Sequence, residues 1–186
     1  SRGSILKKAY GSIGDATLHT TTYNGFGEEC VTAIEAINIT QEENFHDKSL
    51  KIEKIVNERC KKLMSKFGNQ VSECKGRGSL HGIFIKTDTG VGKMLSLLPL
   101  NLTKDKKFLP KLVAAAISDW LFKNFKIYVL FSTTEKVALL FTPSLIIDEK
   151  EIHYFFDSLE SAFEKGVWKI VAKFSSKQFS QNITFD

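Results

Sequence analysis

The chain has 186 residues, of which 42% are hydrophobic and 25% charged, and 26 Lys and Arg against 21 Asp and Glu give a net charge of +5. These proportions are typical of one ordinary globular domain, or of one domain with a piece of another, and they exclude disordered and fibrous chains. No apolar run reaches the roughly 18–20 residues of a bilayer span, and no apolar segment of a signal peptide follows Ser1. We therefore expect a cytoplasmic protein without a membrane partner.

Two helices are predicted first, over 28–41 and 47–67, because apolar residues recur there at helical spacing. Gly68 ends the second helix. The apolar stripe of the second helix consists of Ile52, Ile55, Val56, Cys60, Leu63 and Phe67. Its lysines alternate with acids and indicate a solvated face. Since no nucleic-acid motif accompanies them, no nucleic-acid partner is expected.

Short β-rich runs follow the second helix. Strands are predicted over 70–74 and 80–86, and the two glycines within 75–78 favour a turn between them. The polar, lysine-rich stretch 87–107 is predicted to be a loop. The pattern indicates a hairpin followed by a long connection.

A third helix is predicted over 110–124, with Pro110 suitably in its first turn. Its predicted buried face consists of Leu112, Val113, Ala116, Ile117, Trp120 and Leu121. Two more β-rich runs occupy 127–131 and 137–141.

The last predicted helix begins at Asp148, because Glu151 stands three residues later at capping-box spacing. Its apolar stripe consists of Ile152, Phe155, Phe156, Leu159 and Phe163, and Gly166 ends it. Residues 167–186 alternate weakly and predict an appended strand or a loosely packed tail. The whole order predicts an α+β domain, with helices packed on a sheet of about four strands.

Metal and nucleophile chemistry finds little support in the sequence. Three cysteines at wide spacing form no C-x-x-C pair, so we expect reduced thiols and no metal site. Four histidines are scattered without an i, i+4 pair, which favours structural or solvated roles. No catalytic residue is therefore assigned within this chain.

The stretch 18–27, LHTTTYNGFG, is the most informative segment. Three consecutive hydroxyls, an aromatic residue and two glycines open onto a predicted helix, a chemistry suited to phosphate. A Thr-rich strand that leads to a helix start explains the same residues equally well. The residues alone leave these two interpretations open.

Three blocks of the chain, in order, resemble the C-terminal part of the class III, ornithine/putrescine/acetylornithine-type, pyridoxal phosphate (PLP)-dependent aminotransferases. The stretch 18–27 is similar to the family's H-x-[ST]-T-[FY]-G-G-N run. The segment KGRGSLHGI over 75–83 is similar to R-G-[RK]-G-L-x-x-G-I. The segment FTPSLII over 141–147 is similar to the family's [FI]-x-P-x-L-x-[IV], which an arginine precedes.

The resemblance implies a small C-terminal domain of a fold-type I transferase, which belongs to the α/β class by family. It also implies a homodimer that transfers an amino group between an amine or amino-acid donor and a carbonyl acceptor. Thr22 stands at the family's phosphate-binding position and would reach the cofactor phosphate of the neighbouring subunit. Thr21 would add a second contact to that phosphate. Gly76 and Gly78 would shape a turn.

The sequence departs from the family at several positions. Asn24 and Phe26 replace glycine and asparagine, Gly27 replaces proline, and Lys75 replaces an arginine. Leu140 stands where many members carry an arginine that pairs with a substrate carboxylate. Because an arginine fork is the usual carboxylate receptor, an amine-only or bulky donor would fit better.

The family's Schiff-base lysine, ring-stacking aromatic residue and pyridine-pairing acid belong to a large domain, and none of their motifs occurs here. We therefore expect a strip of the large domain with a linker helix over 1–45, the small domain over 46–166, and a tail of uncertain structure over 167–186. The isolated chain is then expected to be inactive. The alternative is a non-catalytic dimerisation or binding module derived from the same fold.

Overall fold

A computed structural model describes residues 3–12, 14, 22, 27–88 and 107–181 of the chain. The chain divides into two compact units, Ser1–Phe45 and His46–Asp186. The first unit contains helices α1 (Gly3–Tyr10) and α2 (Gly27–Glu42), neither of which has a buried residue. The helix predicted over 28–41 is thus confirmed as α2.

The second unit is an α+β domain, as the element order predicts. Its elements are α3 (Phe45–Phe67), β1 (Val71–Arg77), β2 (Leu80–Ile85), α4 (Phe108–Phe125), β3 (Leu130–Phe131), β4 (Leu139–Phe141), α5 (Glu149–Lys165) and α6 (Val167–Gln181). The four strands form one antiparallel sheet in the order β1-β2-β4-β3. The predicted loop over 87–107 lies almost entirely outside the described residues.

One hydrophobic core joins the inner face of the sheet to the four helices of the second unit. Helix α3 contributes its predicted stripe, of which Ile55 is partly buried and the other five members are buried. The predicted stripe of α5 is buried throughout. Helix α4 buries Val113, Ala116, Ile117 and Leu121 as predicted, together with Ala114, while Leu112 and Trp120 are only partly buried.

The ends of α5 form as their residue types predict. The backbone N–H of Asp148 donates to Glu151 Oε2 at 3.2 Å, which is one half of the capping box. At the other end, Gly166 has a φ of 92°, a left-handed value that L side chains rarely adopt. Its N–H donates to the carbonyl oxygens of Ala162 and Phe163, so the chain turns directly into α6.

The prediction of a strand or loose tail after Gly166 is wrong. Residues Val167–Gln181 form helix α6, whose Val167, Ile170 and Val171 are buried in the core. Together with the partly buried Phe174, they follow the i, i+3, i+4, i+7 spacing of a helix. The exposed lysines between them mimic the alternation of a strand.

The remaining strands differ in length from the prediction. Strand β1 continues through Arg77, so the predicted turn at 75–78 contracts to Gly78 and Ser79. In the second pair, only Leu130–Phe131 and Leu139–Phe141 keep ladder pairing. The flanking apolar residues pack against the core without pairing, because side-chain burial alone does not extend a hydrogen-bonded ladder.

Candidate functional site

The predicted phosphate-binding threonines lie just before α2. Thr22 is exposed and stands in a turn, while Thr21 lies outside the described residues. An exposed hydroxyl is free to donate to a group on another molecule. The first turn of α2 carries Glu28 and Glu29, which satisfy the helix dipole and disfavour an anion at that N-terminus. The assignment of Thr21 and Thr22 to a cofactor phosphate stays a prediction.

The second sequence block folds as a hairpin that is fixed to α3. Gly78 has a φ of 56°, and its N–H donates to Glu53 Oε2 at 2.8 Å. The His81 ring is buried, and its Nε2 lies 2.9 Å from the Gly78 carbonyl oxygen. In the ladder, His81 is opposite Gly76. This block is therefore structural, and Gly76 lies within a strand rather than in the predicted turn.

The third block lines a cleft of about 700 Å³ beside β3 and β4. Leu140 is opposite Leu130 in the ladder, so the two side chains share one face of the sheet. Because Leu139 and Phe141 point into the core, strand alternation turns Leu140 to the other face. The Leu140 side chain therefore lines the cleft.

Residues after β4 and on α5 complete the cleft. The turn after β4 is held by the Ile147 N–H, which donates to the Ser144 carbonyl oxygen at 3.1 Å. On α5, the Tyr154 hydroxyl donates to the Phe125 carbonyl oxygen at 3.1 Å, which positions its ring at the cleft. The described lining comprises Ile127, Tyr128, Val129, Leu130, Leu140, Phe141, Thr142, Pro143, Ser144, Ile146, Ile147, Glu151, Tyr154 and Phe155.

The chemistry of this lining disfavours a carboxylate ligand. None of its described side chains is basic, and its one ionisable acid, Glu151, accepts the Asp148 N–H. A carboxylate placed there would lose hydration without gaining a cation. A ligand with an apolar body and a neutral or positively charged amine suits these walls.

Sequence reasoning identified Leu140 but missed the tyrosines of the cleft. Tyr128 is 77% exposed and Tyr154 is 50% exposed. Tyr128 precedes β3 and Tyr154 lies on α5, so only the packing of α5 beside the sheet brings the two residues to one cleft. That packing could not be read from either short segment.

Among the described residues, no group of three His, Cys, Asp or Glu side chains could hold a metal ion. No helix within the same described ranges is long and apolar enough to cross a bilayer.

Comparison with solved structures places the fold. A transaminase from the marine bacterium Virgibacillus has a TM-score of 0.62 and 18% identity, covering 92% of this chain and 34% of the transaminase. The adenosylmethionine-8-amino-7-oxononanoate aminotransferase of Methanocaldococcus jannaschii has a TM-score of 0.60 and 24% identity over 87% of this chain and 33% of the enzyme. A Bacillus anthracis aminotransferase has a TM-score of 0.60 and 20% identity, with coverages of 87% and 34%. No family model and no curated protein matches the sequence.

These similarities define the class of fold. The chain has the fold of one part of an aminotransferase and spans about a third of the length of these enzymes. At such identities the similarity concerns the architecture, while activity depends on the site.

Proposed function

We propose that the chain is the small C-terminal domain, with a strip of the large domain, of a class III PLP-dependent aminotransferase. The observation that carries the proposal is the fold similarity to aminotransferases over most of the chain. The ordered sequence blocks support it, since the second forms the Gly76 hairpin and the third lines the cleft. The whole protein would be a cytoplasmic homodimer that moves an amino group from an amine or amino acid to a carbonyl acceptor.

In this proposal, the residues of the chain bind and orient rather than react. Bound PLP would supply both the electron sink for the reaction and the temporary carrier of the amino group between the two substrates. The hydroxyls of Thr22 and Thr21 would hold the phosphate of a cofactor bound in the neighbouring subunit. The apolar cleft around Leu140 receives the body of the donor and excludes water from it. The lysine that holds PLP covalently lies outside this chain.

The direct test is amino transfer by the whole protein supplied with PLP. We expect it to transfer the amino group of 1-phenylethylamine, a donor without a carboxylate, to an aldehyde acceptor. The amine product formed from the aldehyde is measured by chromatography. PLP binding without amino transfer from any amine would contradict the enzymatic proposal.

A second candidate function is a non-catalytic assembly module of the same fold. The observation that favours it is the apolar surface of α2, where Val31, Ile34 and Ile37 are each more than half exposed. Such side chains suit a subunit interface. A protein that dimerises but neither binds PLP nor transfers an amino group would favour this module.

Leu140→Arg is expected to change donor preference in the whole enzyme. The guanidinium would supply the carboxylate partner that the cleft lacks and would place an unpaired charge against an apolar donor. We expect kcat/KM for glutamate to rise, and that for 1-phenylethylamine to fall, by about tenfold each, on the scale of one polar contact. The measurement is kcat/KM for both donors with one aldehyde acceptor.

Leu80→Arg is the matched control, because Leu80 is 61% exposed on β2 and does not line the cleft. Its donor preference should equal that of the wild type. An unchanged preference in Leu140→Arg would mean that the cleft does not contact the donor.

A further inference from the structure

Two of the three cysteines belong to the same core. Cys60 stands in the buried stripe of α3 and is 5% exposed. Cys74 lies on β1, which is an edge strand of the sheet, and is half-buried against that core. The third, Cys30, is exposed on α2 in the other compact unit.

The strand register directs Cys74 toward α3. Cys74 is opposite Ile83 in the ladder, and directly opposite residues share one face of a sheet. Ile83 is completely buried in the core that also holds Cys60. The Cys74 side chain therefore points into this core. Helix α3 leads into β1 and is also tied to the far end of that strand by the hydrogen bond from the Gly78 N–H to Glu53, so the two elements run side by side. Cys60 and Cys74 each lie about midway between these two links, which brings their thiols next to one another.

The two thiols differ in how readily they lose a proton. The hydrogen bond from Cys60 lowers the pKa of Cys74, and this effect outweighs burial and the nearby Glu73 carboxylate, which oppose it. The same hydrogen bond, together with burial, raises the pKa of Cys60. The first proton lost thus leaves the charge on the more accessible sulfur, while Cys60 stays a thiol beside it.

We propose that Cys74 and Cys60 form an oxidation site in which a peroxide oxidises Cys74 and Cys60 then closes a disulfide between β1 and α3. A partly exposed cysteine with a lowered pKa beside a buried resolving thiol is the arrangement that peroxide-sensitive cysteine pairs require. The inference concerns a modification site and does not depend on the proposed amino transfer.

The chemistry balances with hydrogen peroxide as the sole oxidant. The Cys74 thiolate attacks one peroxide oxygen, the O–O bond breaks, and hydroxide leaves and takes up a proton to become water. The Cys60 sulfur then attacks the sulfenic sulfur of Cys74, so the S–S bond forms as the S–O bond breaks. The departing hydroxyl takes the Cys60 proton and leaves as a second water, and two thiols have been oxidised by one peroxide.

The test treats the purified 186-residue chain with one equivalent of hydrogen peroxide, alkylates the remaining thiols and maps the peptides by mass spectrometry. We expect a Cys60–Cys74 cross-link with Cys30 still alkylated. Cys30→Ser, the matched control, should form the same cross-link at the same rate. Alkylation of both Cys60 and Cys74 after treatment would overturn the proposal, and so would a cross-link that needs Cys30.

The Cys60→Ala variant tests whether Cys74 is the cysteine that peroxide oxidises first and Cys60 is the thiol that resolves it. Without the resolving thiol, Cys74 should accumulate as sulfenic acid that dimedone traps. Its oxidation should also slow by about threefold, since the hydrogen bond that favours the thiolate is lost and the gain in intrinsic nucleophilicity offsets only part of this. Oxidation of Cys74 at an unchanged rate in a folded Cys60→Ala chain would contradict the assigned roles.

Discussion

Gly76→Ala is expected to lower the melting temperature of the second unit by about 10 °C, which corresponds to a loss of about 3 kcal/mol in unfolding free energy. A Cβ at this position would lie 2.5 Å from Cγ of the His81 ring and closer still to the Leu80 carbonyl oxygen. The ring cannot move aside without losing its buried position and its contact with the Gly78 carbonyl oxygen. The methyl group must therefore distort the hairpin backbone.

Lys75→Ala is the control for this substitution, because Lys75 is an exposed neighbour on the same strand. It should change the unfolding free energy by less than about 0.5 kcal/mol. Thermal unfolding followed by circular dichroism compares the two variants. A Gly76→Ala chain that melts with the wild type would show that the His81 ring does not cover this glycine.

Phe156→Ala is expected to lower the unfolding free energy by about 4 kcal/mol, within the range for removing a buried phenylalanine. Phe156 is completely buried, and its ring centroid lies 5.2 Å from that of Phe155 and 5.8 Å from that of Phe141. The guanidinium carbon of Arg59 stands 5.6 Å from the Phe156 ring centroid. The substitution therefore removes core packing and a cation–π contact together.

Urea denaturation measures this effect, and the midpoint should fall by about 2 M at a slope of about 2 kcal/mol per M. Phe122→Ala is the control, since Phe122 is 51% exposed on α4. It should cost about 1 kcal/mol or less. Equal losses in the two variants would contradict the position of Phe156 at the centre of the core.

Local sequence signals predicted helices α2 to α5, because each of those signals acts within a few residues. The Asp148 and Glu151 pair marks the start of α5. Gly166 ends that helix because its positive φ is a conformation that glycine adopts easily and other residues rarely adopt. The helical spacing of the apolar residues predicted the buried faces of α3 and α5. These features depend on the residue types alone.

Features set by tertiary contacts were harder to predict. Helix α6 was mistaken for a strand or tail, since its buried residues also alternate with polar ones. The hairpin turn was predicted too early in the chain. Gly76 lies within β1, where the lack of a side chain leaves room for the His81 ring, and it does not form the bend. The cleft depends on the antiparallel pairing of β3 and β4, which no short segment reveals. The roles of Thr21 and Thr22 stay predictions that follow from the family resemblance.

We propose that this chain supports a PLP enzyme whose reacting lysine lies elsewhere. The measurement treats the whole PLP-loaded protein with borohydride, which fixes the cofactor irreversibly to the lysine that holds it, and maps the labelled peptide. We expect one labelled lysine outside these 186 residues, and no label on the 186-residue chain when that chain alone is mixed with micromolar PLP and borohydride. Stoichiometric labelling of any of the 23 lysines of this chain would contradict it.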